Sequence, residues 1–220
     1  MRFWIAALVA ITLVSGCAVK TDPPVSDEAV TRAAYRHNGP PKLTLFTMIS
    51  NDTGSGAHSS LMINGSQRVI FDPAGTFRKA GKIVARGDVV YGVTPQVADV
   101  YTRFHARETY HVQVQEVPVS ADTAEKALQI ATAYGEVPDA QCSVSTSRIL
   151  AQLDGVGGSF KQTWYPRNLA EQFGRLPGAT SRKLYEYDDA DKTRALRAYN
   201  PGAVAADRAK ADRNTAKKEG

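Results

Sequence analysis

Gly56-Ala57-His58-Ser59-Ser60-Leu61-Met62-Ile63-Asn64-Gly65-Ser66-Gln67-Arg68-Val69-Ile70-Phe71-Asp72 holds two strand-like runs, His58 to Ile63 and Arg68 to Phe71, joined at the turn residues Asn64-Gly65-Ser66. Asn-Gly between apolar runs marks a β-hairpin, because both residues tolerate the positive φ that a tight, correctly twisted turn demands. If Asn64, Gly65 and Ser66 form the loop, Ile63 pairs with Gln67 and His58 falls opposite Asp72 on the same face. A loop shorter by one residue slips the register and turns Asp72 to the other face.

Outward from the hairpin, Leu43 to Ile49 is rich in β-formers and runs into a loop of turn residues, Ser50-Asn51-Asp52-Thr53-Gly54-Ser55-Gly56. Further strands are expected at Asp88 to Val93 and at Thr109 to Val117, the second alternating through Val112 and Val114. Thr94-Pro95 supplies an N-cap and a first-turn proline for a helix carrying Val97, Val100, Tyr101 and Phe104. Ser120 caps a second helix with Ala124, Ala127, Leu128 and Ala131 on one face. A third begins near Pro138-Asp139 and carries Cys142, Ile149, Leu150 and Leu153, and a short one follows Tyr165-Pro166. The pattern is that of an α+β domain, a small and mostly antiparallel sheet packed against helices.

The ends of the chain differ from its middle. Arg2 followed by the apolar stretch Phe3 to Val14 is too short for a bilayer span, which takes roughly 20 residues, and reads as a signal peptide over residues 1–16. Leu13-Val14-Ser15-Gly16-Cys17 resembles a bacterial lipobox, with Val14 where Leu is usual. The resemblance implies lipid attachment at Cys17 and anchoring to a membrane of the cell envelope. Ala18 is not the Asp that retains lipoproteins at the inner membrane in enterobacteria, so the outer membrane, facing the periplasm, is the expected site. Residues 17–41, poor in aliphatics and rich in Pro, read as a flexible tether, and residues 197–220 as a disordered basic tail. Residues 42–196 form one domain of ordinary size.

The chain has 27 Lys and Arg against 22 Asp and Glu, a formal charge of +5, with the basic residues scattered except in the tail. No basic stripe interleaved with aromatics appears, which argues against nucleic acid and leaves acidic cell-wall polymer, such as peptidoglycan, and anionic headgroups as the partners such a charge meets. Gly155-Val156-Gly157-Gly158 lacks the Lys-Ser/Thr of a phosphate loop, and the pair His105 and His111 lacks the supporting carboxylates or cysteines of a metal site. No cofactor and no metal are expected.

With Cys17 assigned to lipid, Cys142 is left without an intramolecular partner, since the chain has two cysteines. A free cysteine is a buried small hydrophobe or a nucleophile. In the first turn of a helix, the unpaired N–H groups and the positive end of the dipole favour its thiolate, and a backbone N–H there can serve an oxyanion. Of the four histidines, His37 falls in the tether, His105 near the end of a surface helix, and His111 beside Gln113 and Gln115 on what reads as a solvent face. His58 opens a strand after a Gly/Ser loop, fixed by the sheet and open to a cleft, and is the candidate base. Asp72 is the candidate to orient it, with Asn51 and Asp52 in reserve.

Gly56 to Ile63, then Val69-Ile70-Phe71-Asp72-Pro73-Ala74-Gly75, then Asp139-Ala140-Gln141-Cys142 resemble the circularly permuted papain-like hydrolases of the NlpC/P60 superfamily. There a strand-initiating His precedes the nucleophilic Cys, which lies on a helix N-terminus. The resemblance implies a permuted papain-like fold and a thiol hydrolase acting on an amide or ester bond, cell-wall peptides being the commonest substrate. Gln141 departs from the Asn that many members carry before the Cys. The other reading is a noncatalytic lipoprotein that binds or scaffolds in the envelope.

Overall fold

The computed structural model describes residues 25–80, 83–188 and 190–219. Cys17 and the expected signal peptide lie outside the described residues. The strands are β1 (Lys42–Ser50), β2 (Gly56–Asn64), β3 (Arg68–Phe71), β4 (Ala85–Arg86), β5 (Val89–Val90), β6 (Tyr110–Pro118) and β7 (Thr180–Leu184). The helices are α1 (Asp27–Ala33), α2 (Pro95–His105), α3 (Ala121–Ala133), α4 (Cys142–Ala151), α5 (Pro166–Gly174), α6 (Thr193–Arg197) and α7 (Pro201–Glu219). The fold is α+β. All seven strands join one antiparallel sheet in the order β4-β5-β3-β2-β1-β6-β7.

Alternation along the strands sends apolar side chains to both faces, and helices cover each. Leu43, Leu45, Leu61, Ile63 and Phe71 pack with Leu128 of α3, Ile149 and Leu150 of α4 and Phe173 of α5. Phe46, Met48, Met62, Ile70 and Val112 pack on the opposite face with Val97, Val100, Tyr101 and Phe104 of α2. The start of α2 follows its sequence signals: Thr94 Oγ1 accepts from Val97 N–H at 3.3 Å, with proline in the first turn. Ser120 does the same for α3, accepting from Thr123 N–H at 3.1 Å. By contrast α4 opens without a capping side chain, which leaves the N–H groups of its first turn available.

The hairpin differs from expectation in register. Ile63 pairs with Val69 and Asn64 with Arg68, so the loop is Gly65-Ser66-Gln67, closed by Gly65 N–H donating to Gln67 C=O at 3.2 Å. The pairing is two positions from the one expected. Since side chains alternate with a period of two, a shift of two keeps His58 and Asp72 on one face, as diagonal neighbours.

Three further segments depart from the sequence reading. The expected strand at Asp88 to Val93 shrinks to β5, because the chain turns at Gly92, whose φ is +71° and where a Cβ would stand 2.6 Å from Ala33 O. Part of the expected tether is the helix α1, capped by Ser26, with Ala33 and Tyr35 buried. The tail expected to be disordered is the helix α7. It lacks an apolar stripe, yet Arg208 donates to the carbonyls of Arg32, Ala33 and Ala34 at the end of α1, and Asp207 accepts from Gln96 N–H in the first turn of α2. Polar ties to helix ends hold α7 where hydrophobic periodicity gives no signal. No described helix is long and apolar enough to cross a membrane.

Candidate active site

β2 starts at Gly56 whereas its pairing with β3 reaches only Leu61, so residues 56–60 of β2 carry no strand on that side. The N-terminus of α4 lies against this open edge: Ser59 Oγ hydrogen-bonds Ser143 Oγ at 3.0 Å, and the Ser59 backbone N–H donates to the Cys142 sulfur. Cys142 is the first residue of α4. From the opposite face of β2, His58 is within hydrogen-bonding reach of the same sulfur.

His58 Nε2 donates to Asp72 Oδ1 at 2.8 Å, which leaves Nδ1 as the ring nitrogen for the thiol. The Tyr101 hydroxyl donates to the same carboxylate oxygen at 2.7 Å and lies 2.6 Å from Ser60 Oγ. The phenol has one proton, drawn to the carboxylate, so the Ser60 hydroxyl donates to the phenol oxygen. The Asp72 side chain is 2% exposed and that of His58 is 18% exposed, so the pair sits at the floor of an opening rather than under bulk water.

Each group is shifted by the others. Burial by itself raises the Cys142 thiol, yet hydrogen bonding to His58, the charge of its ring, the Ser59 N–H and the Ser143 hydroxyl outweigh it and bring the pKa down to about 7. Burial by itself lowers His58, yet the bonds to Asp72 and Cys142 and their negative charges raise it to about 10. Burial pushes the Asp72 carboxyl up, and the His58 bond and charge hold it below its ordinary value instead. The Tyr101 phenol is raised well above the usual value by burial and the carboxylate beside it. Between about pH 7 and about pH 10 the stable form is a Cys142 thiolate beside a His58 imidazolium.

Two further features set the geometry. At Gly75 a Cβ would stand 1.8 Å from Asp72 Oδ2, so only glycine leaves the carboxylate its place. Asp88, also buried, accepts from Ala74 N–H at 3.2 Å and from Val137 N–H at 2.7 Å, while its carbonyl accepts from Asp72 N–H at 2.7 Å. One carboxylate therefore joins the turn after Asp72 to the segment leading into Cys142. Ala74 and Ala140, each two residues from a site residue, have φ of +57° and +63°, a conformation that costs a non-glycine residue about 1 kcal/mol and persists where surrounding bonds impose it.

The structure brings together Cys142, His58 and Asp72 and sets the other candidates apart. Asn51 accepts from His111 Nδ1 at 2.8 Å and donates to Glu108 C=O, and Asp52 is exposed. His111 is buried rather than on a solvent face, stacked on Tyr185, and Gln115 of the same face donates to Ala170 C=O of α5. The sheet face that read as wet is covered by a helix. His105 is likewise buried rather than at the surface. It stacks on the His58 ring, the centroids 6.0 Å apart, and its Nδ1 donates to Tyr101 C=O at 2.9 Å.

Tyr101, Ser60 and His105 were not legible as site residues. Tyr101 and His105 are four apart on one face of α2, and that spacing reads equally as core. Burial lowers the His105 pKa to about 4. Below the ordinary value near 6.5 the unfolded chain therefore takes up a proton that the folded chain refuses, so stability falls as pH drops from about 6.5 to 4, by about 1.4 kcal/mol per unit from this residue. His105→Gln is expected to flatten that part of the slope in urea denaturation followed against pH. An unchanged slope would show that the ring is protonated in the folded protein.

Among the described residues no three His, Cys, Asp or Glu side chains converge where a metal ion would sit. What the arrangement can do is present a buried thiolate, a proton-bearing imidazole held by a carboxylate, and the free N–H groups of a helix start within one opening. Comparison of the chain with protein-family models, with curated proteins and with solved structures gives no match.

Proposed function

We propose that this chain is a thiol hydrolase with a permuted papain-like fold. The observation that carries the reading is the chain of contacts from Cys142 through His58 to Asp72, with the thiol at the first position of an uncapped helix. Cys142 sulfur attacks the carbonyl carbon of an amide or ester. Negative charge builds on the carbonyl oxygen, within range of the N–H groups that open α4. His58 gives its proton to the departing amine or alcohol as the carbon–nitrogen or carbon–oxygen bond breaks, leaving a thioester. Water, deprotonated by His58, then releases the acid and regenerates the thiol. Asp72 fixes the tautomer and orientation of the ring throughout.

Cell-wall peptide is the substrate class that the resemblance favours, together with attachment at the outer membrane through lipid on Cys17. The papain-like reading also accommodates the order of the residues, with the base on β2 and the nucleophile later on α4.

Incubation with p-nitrophenyl acetate tests the chemistry directly. A burst of nitrophenolate equal to the protein concentration, with an acetyl group on Cys142 by mass spectrometry and no burst from Cys142→Ala, is the expected result. A native protein without burst or adduct favours the noncatalytic envelope module instead. The observation on that side is the burial of Cys142, which is 7% exposed.

A further inference from the structure

A cavity of about 210 Å³ opens directly beside His58. Met48, Ala57, Ala74 and Gly75 give it apolar walls, and the polar side chains that line it besides His58 are Thr76, His105, Tyr110 and Lys192. Its volume is below the roughly 300 Å³ at which pockets for whole ligands begin, so it suits one short arm of a larger molecule.

The charges around the cavity are unbalanced. Asp72 is buried beneath it and occupied by His58 and Tyr101. His105 is kept neutral by burial. Apart from His58, Lys192 is therefore the charged group on the wall among the described residues. Its ammonium lies 5.6 Å from the centre of the Phe104 ring, and among the described residues it has no carboxylate partner. The neighbouring cation Arg107 differs in this respect, since its guanidinium is paired with Asp188. An ammonium at the mouth of a small pocket, with the hydroxyls of Thr76 and Tyr110 on the same lining, is chemically matched to a small anion.

We infer that this cavity is a carboxylate subsite: the substrate carries a short arm beside its scissile carbonyl, the arm enters next to His58, and Lys192 pairs with a carboxylate at its end. The inference rests on the thiol-hydrolase reading and narrows its substrate class to acidic amides or esters. A phosphate is a poorer match, because it carries up to two negative charges where Lys192 supplies one positive charge.

The test uses N-chloroacetyl-β-alanine and its neutral carboxamide as paired probes. In both, the Cys142 sulfur forms a bond to the methylene carbon and chloride leaves with the bonding electrons, so the reaction is the same and the probes differ at the distant acid. The acid is expected to alkylate native protein about tenfold faster than the amide, the size of one charge-assisted contact. In Lys192→Met the ratio is expected to fall to about one, and Lys192→Arg should retain most of it, both at an exposed position that folding does not depend on. Taking the ratio within each protein cancels any change in the thiol itself. Equal rates in native protein overturn the subsite, and so does a preference that survives in Lys192→Met, which would assign the attraction to the His58 imidazolium. Inertness of Cys142 toward both probes overturns the hydrolase reading and the subsite with it.

Discussion

Replacing His58 by alanine is expected to slow alkylation of Cys142 by iodoacetamide at pH 7 by roughly 15- to 50-fold. With His58 present the thiol titrates near 7, so about half is thiolate at that pH. Without it the stabilising bond and charge are gone while the burial that opposes ionisation remains. The pKa then returns to about 8.5 to 9, where only a few per cent of the thiol is ionised at pH 7. The same shifts set the pH profile of turnover. Activity needs Cys142 deprotonated, so it rises through about pH 7, and needs His58 protonated to serve the leaving group, so it falls through about pH 10. A native alkylation profile with its inflection at 8.5 or above, or one that His58→Ala leaves unmoved, would remove the basis for the mechanism.

The second large effect is expected from a residue that touches no substrate. In Gly75→Ala the new methyl would lie 1.8 Å from Asp72 Oδ2 and 2.1 Å from its Cγ, well inside van der Waals contact. Either the carboxylate swings off His58 and Tyr101, or the turn moves and strains the bond from Ala74 N–H to Asp88. A displacement on the order of 1 Å in a catalytic constellation costs about 100-fold in rate, and that is the loss expected in kcat. Gly158→Ala, where a Cβ meets nothing within 4 Å, serves as the neutral comparison. A double-mutant cycle separates a specific collision from general damage: Gly75→Ala should cost stability in the native background and much less in Asp72→Ala, which has no carboxylate to strike. Additive losses would place the harm in the turn rather than on Asp72.

What the sequence revealed, and what it hid, follow from the range of each signal. The pairing of His58 with Asp72 came through although its register was displaced by two positions, because a two-residue period forgives an even error and punishes an odd one. Thr94-Pro95 and Ser120 located two helix starts because capping is written in adjacent residues. α7 was invisible for the opposite reason. Its partners are remote in sequence, Arg208 binding carbonyls about 175 positions away, and no local window holds both halves of such a bond. α1 carries a local signal, the Ser26 cap ahead of Asp27 and Glu28, which the scarcity of aliphatics around it outweighed. β7 escaped notice because its residues Thr180-Ser181-Arg182-Lys183-Leu184 are mostly exposed and polar, as suits an edge strand whose charges discourage pairing with a further chain. Tyr101 was hidden within a pattern correctly read as core, since helical spacing does not distinguish a ring that fills space from one that also holds a carboxylate, and His105 was placed at the surface because it falls at the end of that helix.

The buried carboxylate of Asp88 has a consequence for how freely the rest of the chain can change. It binds Val137 N–H across 49 positions and Ala74 N–H across 14, and these bonds set the gap between the acid-bearing turn and the thiol-bearing helix. The length of the intervening chain does not enter. Connections within that interval, such as the turn at Gly135, where a Cβ would meet open space, can be lengthened or exchanged while the reacting atoms keep their separation. The distance along the chain between acid and nucleophile becomes a matter of wiring, and the spacing of the two segments a matter of the Asp88 clamp. That arrangement makes the site portable: loops outside the clamp can change in length or composition while Asp72 and Cys142 keep their places.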